Sequence, residues 1–212
     1  MKTWFYLAIG ALLGGCSHPG GAAQAEPIQQ SHQQYDKQFE IWKRQQPPEL
    51  IREYEVYLKR NLMRPPNLFE LAFNAYSLNE DCERFRFAIP PREEWKNLVP
   101  TLRLLEKLKT IGVIHQTRII SVYRGEEANH CTHDRQYRNH QHNAAIDFQA
   151  LNTARKNDSK AVARLCQFWR TYGARYNMGL AIYSNQVIHI DTQSYRTWGD
   201  DFTADSSLCK AQ

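Results

Sequence analysis

No cysteine of this 212-residue sequence stands in a CxxC pair, which argues against a zinc site built from cysteines. No block of lysine and arginine interleaves with aromatic residues, and the net charge is a modest +5; a nucleic-acid surface is not indicated. There is no internal repeat. Long apolar runs are missing as well: Trp4 to Leu13 is too short to cross a membrane as a permanent helix. With Lys2 before it, that stretch reads as a targeting segment rather than as part of the fold.

At the end of that stretch, Leu13-Gly14-Gly15-Cys16 resembles the bacterial lipobox. The resemblance implies a signal peptide over residues 1–15, cleavage before Cys16 and a lipid on the Cys16 thiol. With Ser17 rather than Asp next, it also implies delivery to the outer membrane, facing the periplasm. Four cysteines remain, Cys82, Cys131, Cys166 and Cys209. An even remainder in an oxidising compartment predicts two disulfides, with three connectivities open. Residues 17–34 are rich in Gln, Gly, Ala, Ser and His without an apolar period, the composition of a flexible tether. The expected organisation is a lipidated cysteine and tether over residues 16–35, then one domain, monomeric, over residues 36–212.

From Tyr35 to about Leu108 the apolar pattern is helical. Phe39 and Trp42 lead to Pro47-Pro48; Leu50, Ile51, Tyr54, Leu58 and Leu62 then make a stripe at helical spacing. After Pro65-Pro66, the residues Leu68, Leu71, Ala72 and Ala75 suggest a third helix. Trp95 and Leu98 precede Pro100, which suits the first turn of a helix better than its interior. Leu102, Leu105 and Leu108 give that helix its buried face, and Gly112 ends it. From Thr117 the period changes. Strands are expected at Thr117 to Tyr123, Ala144 to Gln149, Leu180 to Tyr183 and Gln186 to Asp191, with a helix from Ser159 to Tyr172. Gly125 to Asn143 carries four histidines and no period, and reads as a long loop of the functional kind. The predicted class is α+β: a helical layer over residues 36–115 packed on a small antiparallel sheet over residues 116–212.

Three segments carry chemistry. The first is Ser121-Val122-Tyr123-Arg124 with Asn129 after it; the second runs from His140 to Asp147; the third is His189-Ile190-Asp191 followed by Tyr195-Arg196-Thr197-Trp198-Gly199. A catalytic zinc needs three nitrogen or oxygen ligands and an open position. On alternating strands Asn143, Ala145 and Asp147 share one face, and Val187, His189 and Asp191 share another. A carboxylate among small side chains is costly to bury without a partner, and a metal ion is a good one.

Together these segments resemble the zinc D-Ala-D-Ala carboxypeptidase superfamily, which includes peptidoglycan endopeptidases and shares its fold with the hedgehog signalling domain. The family hallmark S-x-H-x-x-G-x-A-x-D is matched by His140, Ala145 and Asp147, and His189 supplies a third ligand. Ser121, Tyr123, Arg124 and Asn129 match an upstream S-G-Y-R strand end and its following Asn. His189-x-Asp191 before Arg196-x-Trp198 resembles one exported branch. The resemblance covers residues 90–199. It departs from the hallmark at Arg138, where Ser is usual, at Asn143, where Gly is usual and whose left-handed turn Asn tolerates, and at Val122. Gln186 stands where several relatives carry an acidic general base, and an amide cannot take a proton.

The resemblance therefore implies Zn2+ on His140, Asp147 and His189, and hydrolysis of a peptide bond in peptidoglycan stems or cross-links. It assigns Arg124 to a developing oxyanion or a substrate carboxylate, and Ser121, Tyr123 and Asn129 to substrate. Asp191, the remaining nearby carboxylate, is expected as general base; its other role would be to orient His189. A second reading, favoured by Gln186, is a non-catalytic zinc- or peptidoglycan-binding envelope lipoprotein. Of the three disulfide connectivities, Cys82–Cys131 and Cys166–Cys209 are expected. The first would tie the helical layer to the histidine-bearing loop, the second the C-terminal tail to a helix.

Overall fold

The computed structural model describes residues 31–74, 80–131 and 138–210. The expected signal peptide, Cys16, most of the tether, Ala75 and His133 lie outside the described residues. A compact unit runs from Tyr35 to Gln212. The class is α+β, as expected. Among the described residues no helix is long and apolar enough to cross a membrane.

Prolines punctuate the helical half. Helix α1 (Ser31–Gln45) begins inside the segment expected as tether. Pro47 caps α2 (Pro48–Asn61), with Pro48 in the first turn, where its missing N–H costs nothing. Ile51, Tyr54 and Leu58 form the buried stripe of α2. Helix α3 (Leu68–Ala72) starts on a reciprocal cap: the Asn67 side chain accepts from Glu70 N, and the Glu70 carboxylate accepts from Asn67 N. Helix α4 (Trp95–Thr110) carries Pro100 in its interior, contrary to the expectation of a start near that proline. An interior proline costs about 3 kcal/mol. Trp95, Leu98 and Val99 are all buried on the turn before it, each contributing about 1.5–3 kcal/mol, and that burial extends the helix N-terminally. Gly112, at φ +75°, ends α4 as expected.

Among its described residues, the stretch expected as one long loop contains two short helices, α5 (Glu126–Cys131) and α6 (Arg138–Gln141). Neither is long enough to show an apolar period. Helix α7 (Ala161–Tyr172) packs Leu165, Cys166 and Phe168 inward. Both disulfides have the expected connectivity, Cys82–Cys131 and Cys166–Cys209. Two such bonds point to an oxidising, exported environment.

Among the described residues five strands form one sheet: β1 (Gln116–Ser121), β2 (Ala145–Leu151), β3 (Gly179–Ile182), β4 (Ile188–Asp191) and β5 (Arg196–Trp198), in the order β1-β2-β4-β3-β5. All neighbours are antiparallel except β3 and β5, which run parallel. The sheet is therefore mixed, not antiparallel throughout. Strand β5 is only three residues long, too short for an alternation to announce it.

Register divides the sheet into two unlike faces. Ile146, Phe148, Leu180, Ile182, Ile188 and Ile190 join the core formed with α4 and α7. On the other face Asp147 lies opposite His189 and Ser121, Ala145 opposite Asp191, Ala181 opposite His189 and Trp198, and Gly179 opposite Asp191 and Arg196. Polar groups and the smallest side chains thus share one surface. Thr101 of α4 fastens the helical layer to β2 through its hydroxyl, which donates to Ala144 O at 2.8 Å.

Candidate metal centre

The two central strands present two of the expected ligands side by side. Asp147 on β2 and His189 on β4 are direct cross-strand partners, and His189 Nδ1 lies 2.7 Å from Asp147 Oδ1. The third, His140, comes from α6. Its backbone carbonyl accepts from Arg124 N at 3.1 Å, and its ring Nδ1 meets Val122 O at 2.6 Å. Asn143 turns the chain from α6 into β2 at φ +50°, the left-handed conformation that Asn accepts in place of Gly. The turn therefore forms without a glycine.

With Nδ1 bonded to a carbonyl, His140 carries its proton there and turns Nε2 toward the other two residues. His140 Nε2 stands 3.2 Å from His189 Nδ1 and 3.2 Å from Asp147 Oδ1. Four ligands at tetrahedral positions about 2.0–2.1 Å from a zinc ion are roughly 3.3 Å apart. Two edges of the His140–Asp147–His189 triangle have that size. The third, 2.7 Å, is a hydrogen bond in which a proton holds the pair together. Two imidazoles and a carboxylate, all buried, are a donor set suited to a divalent metal of the zinc type, and the three could hold a metal ion.

The electrostatics fit a shared charge. Burial pushes the His140 imidazole down to about 4, despite Asp147 beside it, and the Arg124 cation adds to that depression. Burial favours the neutral form of Asp147, but His140 and His189 outweigh it and hold the carboxyl well below its usual range. Burial also works against the charged form of His189, yet hydrogen bonds to Asp147 and Asp191 raise it above the ordinary histidine value.

Asp191 lies on the far side of His189 from this triangle. Its Oδ2 is 3.2 Å from His189 Nε2, and Arg196 grips both its oxygens, Nη2 at 2.7 Å and Nη1 at 3.1 Å. Gly179 makes room for the pair: a Cβ there would sit 2.7 Å from Asp191 Cγ and 2.8 Å from Arg196 Nη1. Asp191, expected as general base, is thus placed to orient His189 so that Nδ1 faces the other ligands. Burial alone would raise its carboxyl, but His189 and the ion pair with Arg196 overcome that and hold it down at about 2, which disfavours proton uptake.

Beside His189 a cleft of about 310 Å³ opens, lined also by Arg138, Asn139, Arg196, Trp198 and Phe202. The Trp198 ring packs against His189 at 5.1 Å between centroids, carries the Arg196 guanidinium over its face at 4.7 Å, and donates its indole N–H to the Tyr183 hydroxyl.

The other expected site residues do not line this cleft. Arg124 is 1 % exposed and acts on His140 through its charge. Ser121 is buried beside Asp147 on the polar sheet face. Asn129 is buried in α5 and borders a separate cavity with Glu126, Glu127 and His130. Tyr123 is half-buried near Glu93 and Glu94, and burial first, then those carboxylates, raises its hydroxyl pKa. Gln186 sits at φ +66° in the turn between β3 and β4, exposed, with Asn157 Nδ2 donating to its Oε1 at 2.8 Å. It too is absent from the cleft wall, so its being an amide has no bearing on that cleft.

Sequence reasoning missed Gly179, Arg138, Asn139 and Phe202. Gly179 carried a signal as a glycine opening an apolar strand, which marks a close approach, and Arg138 stood out only as a departure from a motif. Compared with known proteins, the chain matches no family model, no curated protein and no solved structure.

Proposed function

We propose that this chain is a zinc-dependent peptidase acting on peptidoglycan stem peptides or cross-links, held in the bacterial envelope through a lipid on Cys16. The observation that carries the reading is the convergence of His140 Nε2, Asp147 Oδ1 and His189 Nδ1 next to an open cleft. The motif resemblance supports the substrate class and the lipid anchor, and the two disulfides agree with export.

Zinc in such a site supplies Lewis acidity, polarising a carbonyl and acidifying water. The protein's own part is to fix its ligands before substrate arrives. Val122 O sets the His140 tautomer and Asp191 sets that of His189. Trp198 and Phe202 give the cleft an apolar side, and Asn139 offers amide groups to a peptide backbone.

Digestion of purified peptidoglycan by the soluble domain, read by chromatography of muropeptides, tests the proposal. New products that disappear with chelator are expected; an unchanged profile from zinc-loaded protein would overturn it. A second reading, a zinc- or peptidoglycan-binding lipoprotein without turnover, is favoured by one observation. Among the described residues no carboxylate lines the cleft, and Asp191 is engaged by Arg196. That reading predicts bound zinc and peptidoglycan with no new muropeptides.

A further inference from the structure

Two stretches far apart in the sequence meet where α2 ends alongside α4. Residues 56–68 hold Lys59, Arg60 and Arg64 and no acidic residue, and residues 101–115 hold Arg103, Lys107 and Lys109 with one acidic residue, Glu106. Together they carry +5, the net charge of the whole chain, so the remaining residues balance. The fold fastens the two stretches to each other: Arg64 N donates to Glu106 Oε1 at 2.6 Å, and Arg103 Nε donates to Asn61 O at 3.1 Å. All six cations are exposed, and among the described residues none of them forms a salt bridge. The nearby carboxylates are turned to backbone N–H groups, Glu106 to that of Arg64 and Glu70 to that of Asn67.

Helix dipoles account for part of this arrangement. Lys59 and Arg60 lie in the last turn of α2, Lys107 and Lys109 in that of α4. Each helix C-terminus carries about half a negative charge, so two of them offset only a small part of the patch. Apolar side chains stand among the cations. Met63 is 90 % exposed, the most exposed large apolar side chain among the described residues, and Ile111 at the end of α4 is 45 % exposed. No exposed aromatic ring lies on either stretch. A single-stranded nucleic acid is held by cations together with stacking on such rings. An anionic bilayer calls for the combination found here: cations meet the headgroup phosphates, and aliphatic side chains enter the boundary beneath them.

We infer that the surface formed by the end of α2, the Met63 turn and the C-terminal half of α4 is a membrane-contact face for anionic phospholipid headgroups, with Met63 and Ile111 inserted among them. It requires neither the metal centre nor a lipid on Cys16. Helix α4 lies between this face and the sheet, its buried side in the core shared with Ile146 and Phe148. Asp147 and His189 stand on the opposite side of the sheet. A chain docked in this way keeps its cleft turned from the bilayer.

The test uses the chain from Ser17 onward, which keeps the compact unit Tyr35–Gln212 and lacks both the apolar Trp4–Leu13 stretch and Cys16. Flotation with vesicles of phosphatidylcholine alone, or of phosphatidylcholine with phosphatidylglycerol, measures binding. Binding to the anionic vesicles only is expected, weakening as salt screens the charges. Arg60→Ala and Lys107→Ala should each lower the affinity about fivefold, the share of one cation at an anionic membrane surface. Met63→Ser should lower it about tenfold, as for an apolar side chain returned to water, at high salt as well as at low. Lys156→Ala, which removes an exposed cation elsewhere, should bind as wild type does. Equal binding to both kinds of vesicle, binding to neither, or equal losses from Arg60→Ala and Lys156→Ala overturns the inference. So does a DNA oligomer that displaces the vesicles and binds Met63→Ser as tightly as wild type, which would make the face a site for polyanions. Circular dichroism verifies that the variants, all altered at exposed positions, keep the fold.

Discussion

Asp191 and Arg196 form a two-pronged ion pair behind His189, and through it the imidazole presents Nδ1 to His140 and Asp147. Asp191→Asn should therefore weaken zinc binding by about 10- to 100-fold, the usual effect of a partner that orients a metal-ligating histidine. Activity should fall in step with metal loss and return at saturating zinc. Arg196→Ala should act in the same direction, while His140→Ala, Asp147→Ala and His189→Ala should remove the metal altogether. Competition with a chromophoric chelator measures all five. Full metal occupancy of Asp191→Asn with turnover abolished would instead restore Asp191 as a base.

A methyl group at Gly179 would collide with both Asp191 and Arg196. Gly179→Ala should displace the ion pair, cost about 1–3 kcal/mol of stability through overpacking, and lower zinc affinity. Denaturant unfolding and chelator competition on one preparation check both effects. Unchanged zinc affinity would separate the ion pair from the metal centre.

Gln186→Glu should leave zinc affinity and turnover at wild-type levels, because that residue sits in an exposed turn bonded to Asn157. Gln186→Gly should raise stability by about 1 kcal/mol, since glycine adopts the left-handed conformation without strain. A gain of activity in the Glu variant would contradict the placement of this turn.

His189 has a raised pKa in the chain without metal, so zinc must displace its proton. The apparent affinity should fall about tenfold per pH unit once the pH drops below that pKa. His140, already held down to about 4 by burial, contributes no such loss near neutrality. Calorimetry in two buffers of different ionisation enthalpy should register proton release on zinc binding that grows as the pH falls through that pKa.

Removing either disulfide should destabilise the fold by about 4 kcal/mol in the chain-entropy account, given cysteine separations of 49 and 43 residues. Unfolding of Cys82→Ser and of Cys166→Ser, against wild type, measures the loss. A change below about 1 kcal/mol would mean that the unfolded chain is already restrained there.

The His140–Asp147–His189 cluster, which could hold a metal ion, was legible in the sequence because strand alternation put Asp147 and His189 on definable faces, and the motif resemblance picked out His140. The cysteine pairing was legible only in part: the even count predicted two bonds and left three connectivities open, and Cys131 lies in the short helix α5 where a loop was expected. The role of Asp191 was not decided, because its partner Arg196 lies on a strand only three residues long. Which side of the His189 ring it meets depends on the parallel pairing of β5 with β3. Pro100 misled for the opposite reason: a local rule about proline yielded to burial of Trp95 and Leu98. Arg138 showed only as a departure from a motif; its position in the cleft wall is a property of the folded chain.

The two disulfides divide the candidate site between different parts of the covalent framework. Cys82–Cys131 encircles β1 with Val122 and Arg124, while Cys166–Cys209 encircles β3, β4 and β5, hence His189, Asp191, Arg196 and Trp198. His140 and Asp147, with Arg138, belong to the span between Cys131 and Cys166, which neither ring encloses. Metal bound at all three ligands would be the clamp joining that open span to the second ring. Chelation and reduction would then loosen the same cleft in different ways: a chelator frees the span and leaves both rings closed, whereas a reductant opens both rings, the one that frames His189 and the one that holds Val122 and Arg124 against His140.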